Sequence, residues 1–307
     1  MITIYQKTIK DKRFKKLKTH RVGSWVMVEN PTEEELVEIS KKLSLKESLL
    51  RDAVDFNEVP RVEVEKNGDV YIFTQVPYGD GAKAFTAPLL IVVASNWIVT
   101  VSQREFPFKI NTLNKKLEFT TTQKVKLLLQ LLTEINSAYN TSMTTINRKV
   151  RSLGVNLEKV TNKDIAQFVS YETVLNDFLS NLIPMNQALN RLLLGKIVQL
   201  YENDEELVED LALASGQLIE VAKASLKAIV NIREAYTTIV TNNLNKVIKL
   251  LTALTIILTV PTIVASLYGM NVTLPGADSP DAFFWILGGT GLTMAVLLAI
   301  FVKNRWF

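Results

Sequence analysis

No charged residue occurs between Lys249 and Asp278. Within that stretch residues 250–267 read "LLTALTIILTVPTIVASL", and after two aspartates residues 283–302 read "FFWILGGTGLTMAVLLAIFV". A helix rises 1.5 Å per residue, so each run is long enough to cross a hydrocarbon core of ~30 Å. Two such runs close together at one end of a chain, flanked by Lys249, Lys303 and Arg305, predict a membrane hairpin and leave the rest of the chain outside the bilayer. Loop charge gives the expected orientation. Lys246 and Lys249 precede the first run and Lys303 and Arg305 follow the second, whereas the loop between them carries Asp278 and Asp281 and no Lys or Arg. The positive-inside bias therefore puts both termini in the cytoplasm of a multi-pass plasma-membrane protein that contacts lipid.

Composition removes several chemistries. The 307 residues include no cysteine and one histidine, His20, so a disulfide framework, a thiolate site and a structural zinc site are not expected. Any metal chemistry must use oxygen ligands, which suit hard ions. No phosphate loop and no nucleophile–base arrangement occurs, so no enzyme is expected. There is no apolar N-terminal segment of the signal-peptide kind. The basic stretch at 7–21 (Lys7, Lys10, Lys12, Arg13, Lys15, Lys16, Lys18 and Arg21) is read as solvated surface and not as a nucleic-acid or anionic-lipid site, because no recognition motif accompanies it.

Residues 1–120 read as an α/β domain with a mixed, largely antiparallel sheet. Short β-branched and aromatic runs lie at Ile2–Tyr5, Trp25–Val28, Arg61–Val64, Val70–Val76, Leu89–Ala94 and Ile98–Val101. Residues 121–203 turn helical, with one periodic segment from Thr121 and another that stops at Pro184. No proline then occurs until Pro261, so residues 204–267 are expected as one long helix running into the first span. The remaining divisions are the loop at 268–282, the second span at 283–302 and a basic cytoplasmic tail at 303–307. On the long helix Leu211, Ala214, Leu218, Val221, Ser225, Ala228, Ile232, Ala235 and Ile239 form a mostly apolar heptad seam. Asp210, Gln217, Glu220, Lys227, Asn231, Glu234, Thr238 and Thr241 form a polar line. That line continues as Asn245, Ile248, Thr252, Thr255, Thr259, Thr262 and Ser266, a small and hydroxylated stripe through the first span. Such a stripe either lets helices pack closely or lines a water-filled path, and the second use needs several copies around an axis.

The first run ends in Tyr268-Gly269-Met270-Asn271. With this tripeptide after a long helix and a large α/β region, the chain resembles the CorA family of magnesium channels. The resemblance implies a homopentameric funnel that conducts Mg²⁺, often with Co²⁺ and Ni²⁺, and closes when cytoplasmic Mg²⁺ binds between subunits. Gly269, Met270 and Asn271 are then the outer mouth and selectivity filter, with the Asn271 ring meeting the hydrated ion. Asn245 matches the inner end of the pore, and Ile248 and Leu251 match the gate. Gly269 is expected to leave the helix through a left-handed dihedral, and Met270 to pack on a neighbour or on the second span. Asp278 and Asp281 stand in place of the family's acidic loop segment and are expected to attract cations. Thr259 occupies a position where some members have a bulky constriction. Regulatory metal ligands are sought in the cluster Glu202, Asp204, Glu205, Glu206, Glu209 and Asp210, with Asp210, Glu206 and Glu209 foremost; acids also favour helix N-termini for the dipole alone. Two other readings stand beside this one: a zinc-transporting branch of the same architecture, and a membrane-tethered sensor or scaffold without ion flux.

Overall fold

The computed structural model describes residues 1–106, 108, 120–155, 160–194, 200–272 and 279–306. Its elements run β1 (Ile2–Gln6), β2 (Lys15–Leu17), β3 (Ser24–Glu29), α1 (Glu33–Leu43), α2 (Glu47–Asp52), β4 (Arg61–Val64), β5 (Val70–Tyr78), β6 (Phe85–Val93) and β7 (Trp97–Ser102). Four long helices follow: α3 (Lys124–Gly154), α4 (Asn162–Leu193), α5 (Glu202–Tyr268) and α6 (Ala282–Lys303). The chain divides into two units, Met1–Ile232 and Arg233–Phe307.

In the first unit seven strands form one sheet in the order β2-β1-β3-β7-β6-β5-β4. Only β3 and β7 pair in parallel, with Met27 opposite Thr100. The sheet is covered on both faces, and the alternation of side chains shows it. Trp25, Met27, Ile72, Leu89, Ile91 and Ile98 join the core shared with α3, α4 and α5. Val26, Val28, Tyr71, Phe73, Leu90 and Val99, one residue out of phase, pack with Leu36, Ile39 and Leu50 of α1 and α2. A sheet buried on two faces needs near-continuous apolar strands, which is why β3 and β5–β7 carry so few polar residues. The polar tip of the most deeply buried indole is satisfied: the Trp25 N–H donates to Thr100 Oγ1 at 3.0 Å.

Local signals set the helix ends. Thr32 and Glu35 form a reciprocal capping box on α1, and Thr161 and Asp164 form another on α4; each N-cap contributes about 1 kcal/mol. Helix α4 does not stop at Pro184 but continues to Leu193. The proline removes one backbone bond and costs about 3 kcal/mol. Beyond it Met185, Leu189 and Leu192 are buried, each contributing about 1.5–3 kcal/mol, so the packing outweighs the break.

Two further expectations need correction. The basic stretch is not all solvated surface. Lys15–Leu17 form the edge strand β2, paired antiparallel with β1, and Lys7 is buried, with its N–H donating to Thr121 Oγ1. The heptad seam on α5 is also displaced. Within the first unit its buried residues are Asp204, Val208, Leu211, Ala212, Ser215, Leu218, Ile219, Ala222, Ser225 and Ile229. Leu211, Leu218 and Ser225 are the expected rungs. The rungs between them sit one residue later than expected, at Ser215, Ala222 and Ile229, and Val221 is exposed. A 3-4 alternation can be started in either phase, and the small Ala and Ser residues fit both. The deciding contacts come from α3 and α4: Asn186 Nδ2 donates to the Ala212 carbonyl at 2.6 Å, and the Ser225 hydroxyl pairs with Asn147.

The second unit is the remainder of α5 with α6. Both helices are long and apolar enough to span a membrane, yet only 11% and 6% of their most apolar windows are buried. Among the described residues their shared core is small. Ala253 and Ile257 of α5 meet Phe301 of α6, with Met294, Leu297 and Trp306 around them. Trp306 folds back to stack on Phe301, ring centroids 5.1 Å apart.

Candidate functional site

The first span is one uninterrupted helical segment although it contains Pro261. Proline removes the N–H that would bond the Ile257 carbonyl. Continuity is kept where the helix is already packed, since Ile257 lies in the contact with α6. Along the same span the Thr252 hydroxyl donates to the Ile248 carbonyl at 2.8 Å, Thr255 to Leu251 at 2.8 Å, Thr259 to Thr255 at 2.7 Å and Thr262 to Leu258 at 2.9 Å. A hydroxyl has one hydrogen and two lone pairs. Each of these threonines has committed its hydrogen to its own backbone, so toward its surroundings it is an acceptor only.

The stripe lies on a defined side. At 100° per residue its members centre roughly 150° around the helix from Ala253 and Ile257. The face that packs on α6 is therefore not the hydroxyl face. On α6 the less exposed residues Ala282, Ile286, Thr290, Met294, Leu297 and Phe301 follow one another at spacings of three and four and make a single line. Contact between the two helices of one chain thus leaves the stripe, including Thr252, Thr255, Thr259, Thr262 and Ser266, exposed. Asn245, Ile248 and Leu251 are exposed as well.

At the end of the span Gly269 departs from expectation. Its φ is not positive, and its N–H donates to the Ala265 carbonyl at 2.9 Å, so it closes the last turn. Its constraint is space: a Cβ there would lie 3.1 Å from the Ala265 oxygen. Met270 and Asn271 follow outside the helix, and both are exposed. Asp278 lies outside the described residues. Asp281 is exposed at the start of α6, where its carbonyl accepts from the Phe284 and Trp285 N–H groups.

The acidic cluster at the start of α5 is not one group. Glu205, Glu206, Glu209 and Asp210 are exposed, and Asp204 is buried; the side chain of Glu202 lies outside the described set. Among the described residues no three acids or histidines come together as metal ligands. Asp210 lines a groove of about 520 Å³ between α3 and α5, opposite Thr133, Asn136, Ser137 and Asn140. The distinct position of Asp204 was legible as a spacing, since 204, 208, 211 and 215 continue the buried seam, but an acidic residue in a run of acids hides it.

Similarity to known proteins agrees with this arrangement. Residues 21–303 match the family described as CorA-like Mg²⁺ transporter protein. The cobalt/magnesium transport protein CorA of Methanocaldococcus jannaschii is 23% identical over 293 residues, covering 92% of this chain and 90% of its own. The complete structure of the magnesium transporter CorA from that organism superposes with a TM-score of 0.85 at 23% identity, covering 100% of this chain and 99% of its own. The cytoplasmic domain of ZntB from Vibrio parahaemolyticus shares the fold at a TM-score of 0.63 and 8% identity, covering 78% of this chain and 98% of its own. The α/β unit, the long helix and the two apolar helices behind it make this chain a member of the CorA-like Mg²⁺ transporter family.

Proposed function

We propose that the chain assembles as a homopentamer in the plasma membrane and conducts divalent cations, chiefly Mg²⁺ and also Co²⁺ and Ni²⁺, into the cytoplasm. The α5 helices surround the axis, the α6 helices stand outside them, and both termini are cytoplasmic. The observation that carries this reading is the stripe of hydrogen-committed threonines on the face turned away from α6. Mg²⁺ holds its waters tightly. A hydrated cation presents water hydrogens outward and is best received by acceptors without competing donors. Five copies of the stripe supply such a wall without a carboxylate between Asn245 and Asn271 to trap the ion. The Asn271 amides at the outer mouth accept from the same hydration shell, with Gly269 and Met270 shaping the turn. Asp278 and Asp281 raise the local cation concentration. Ile248 and Leu251 form the apolar constriction near Asn245. Movement is downhill in the membrane potential, which contributes about 4.6 kcal/mol for two charges at 100 mV. Cytoplasmic Mg²⁺ bound at Asp210, with Glu206 and Glu209 nearby, between subunits closes the channel.

The stripe is tested at Thr255. Thr255→Ser keeps the acceptor and retains Mg²⁺ uptake in proteoliposomes, whereas Thr255→Val keeps the shape and lowers uptake about tenfold, since each lost hydrogen bond is worth about 0.5–1.5 kcal/mol and five copies lose one. Equal uptake by the two variants assigns the stripe to helix packing. Competition between Mg²⁺ and Zn²⁺ in the same vesicles separates a magnesium from a zinc pathway. Absence of any cation flux in the wild type leaves a tethered sensor.

A further inference from the structure

A cavity of about 850 Å³ opens in the first unit where the start of α3 meets the turns β4–β5 and β6–β7 and the start of α5. Asn67, Ser95, Lys124, Lys126, Tyr201 and Asp204 are among its walls. Its two sides are mismatched. On one side α3 begins without a side-chain cap, so its first-turn N–H groups have no acceptor from Gln123, and residues 122–126 line the opening. Lys124 and Lys126 stand on that same turn, and among the described residues neither has a carboxylate within ion-pair distance. The Lys124 ammonium is held by the Ala94 and Ser95 carbonyls, each at 2.6 Å, and burial pulls its pKa below the usual lysine range. On the other side Asp204 is 3% exposed, and its Oδ1 accepts no hydrogen bond.

The dipole of α5 explains why an acid stands in its first turn. It does not explain a buried carboxylate oxygen without a donor, which costs several times what the dipole returns. Two lysines without an ion pair, one of them in the longer-range field of Asp69, and an acceptor lacking a donor, set across one cavity, are complementary to a molecule that is anionic at one end and carries hydroxyls at the other. A helix N-terminus with two adjacent lysines favours phosphate for the anionic end. A bare metal ion fits less well, because it would sit beside two ammonium groups. We propose that this cavity binds a phosphate monoester of a small polyol, its phosphate on the α3 N-terminus with Lys124 and Lys126 and a hydroxyl donating to Asp204 Oδ1. The test of this site reads binding and not flux.

The test is isothermal titration calorimetry on the full-length chain in neutral detergent, without added divalent cation. The probes are ribose 5-phosphate, inorganic phosphate and glycerophosphoglycerol, the deacylated headgroup of an anionic lipid. Lys126→Ala is expected to weaken ribose 5-phosphate and inorganic phosphate alike, by about tenfold, the effect of one charge-assisted bond. Asp204→Ala is expected to weaken ribose 5-phosphate by about tenfold and to leave inorganic phosphate unchanged or tighter, since it removes a hydroxyl acceptor that also repels anions. The diester headgroup is expected to bind more weakly than the monoester. No binding of ribose 5-phosphate to the wild type overturns the proposal, as does Asp204→Ala weakening both phosphates equally. A diester that binds as tightly as the monoester overturns the assigned ligand class. Circular dichroism melts of each variant establish that it is folded, and Lys126→Ala, at a half-buried surface position, keeps the test available if Asp204→Ala does not fold.

Discussion

Ile91 and Ile263 are the same side chain in opposite situations. Ile91, in the central strand β6, is 0% exposed; Ile263, in the first span, is 53% exposed. The first unit covers its own apolar residues with two helices on one sheet face and three on the other. The second covers almost none of its own, because two helices have too little surface to enclose each other. Its apolar residues are left uncovered by the chain itself, and in the assembly proposed above lipid and further copies of the chain cover them. The difference also separates what each unit can reveal: the first explains its stability from its own contacts, while the second states its function through what it leaves uncovered.

Equal deletions in the two units put this comparison at risk. Leu90→Ala removes a fully buried side chain between β5 and β7, and its cost is expected at about 2–5 kcal/mol, from lost burial and the cavity left behind. Leu258→Ala removes an exposed one and is expected to cost under about 1 kcal/mol in detergent. Hydrogen exchange followed by mass spectrometry, which reads the two segments separately in the full chain, compares them. Similar losses at both positions contradict the contrast. Ile257→Ala lies between, at about 1–2 kcal/mol, because lipid tails offer the same apolar medium and only packing against Phe301 is lost. It is expected to speed exchange in α6 without affecting the sheet.

A smaller effect comes from two tyrosines of the first unit. Burial pushes Tyr78 up to about 12, and complete burial drives Tyr139 further in the same direction. The unfolded chain releases these protons near pH 10, and the folded chain holds them longer. Between about pH 10 and 12 the unfolded state therefore binds fewer protons, so the first unit loses stability as pH rises through that window. Tyr139→Phe removes its share of this slope. At neutral pH it costs about 1 kcal/mol, the net value of the bond the hydroxyl donates to the Gln75 carbonyl at 3.0 Å. Denaturant titrations at pH 8 and pH 11 check both statements. The smallest change is expected from Gly154→Ala at the end of α3. A Cβ there meets Ile232 Cδ1 at 3.1 Å, and a slight shift of that flexible tip offsets the helix-propensity gain of up to about 1 kcal/mol. Thermal melting is expected to move by no more than a few degrees.

What the sequence made legible follows from how local each signal is. Six of the seven strands could be found from their β-branched and aromatic runs; Lys15–Leu17 could not, because an edge strand three residues long in a basic stretch has no apolar face to betray it. The long helix could be read from the absence of proline between Pro184 and Pro261 and from the apolar run that continues past Pro261. The phase of its buried seam could not, because small residues on α5 fit two registers and only α3 and α4 decide. Pro184 misled for the same reason: a local rule gave way to tertiary burial. In the candidate site the hydroxyl stripe was visible as a spacing. That its hydroxyls point their hydrogens at their own backbone, and that the stripe faces away from α6, depend on coordinates. Gly269 shows the limit of residue-type argument, since its glycine answers to the crowding of Ala265 and not to a left-handed turn.

The central claim is that the uncovered face of α5, ending in Asn271, conducts hydrated Mg²⁺. Its most direct measurement is Mg²⁺ uptake into proteoliposomes under an imposed potential, negative on the face that carries the termini, for the wild type and Asn271→Ala. The account predicts potential-driven uptake by the wild type and a loss of about tenfold or more in the variant, as five amide acceptors worth about 0.5–1.5 kcal/mol each are removed from one hydration shell. Wild-type uptake by Asn271→Ala, in assemblies of unchanged size, contradicts it.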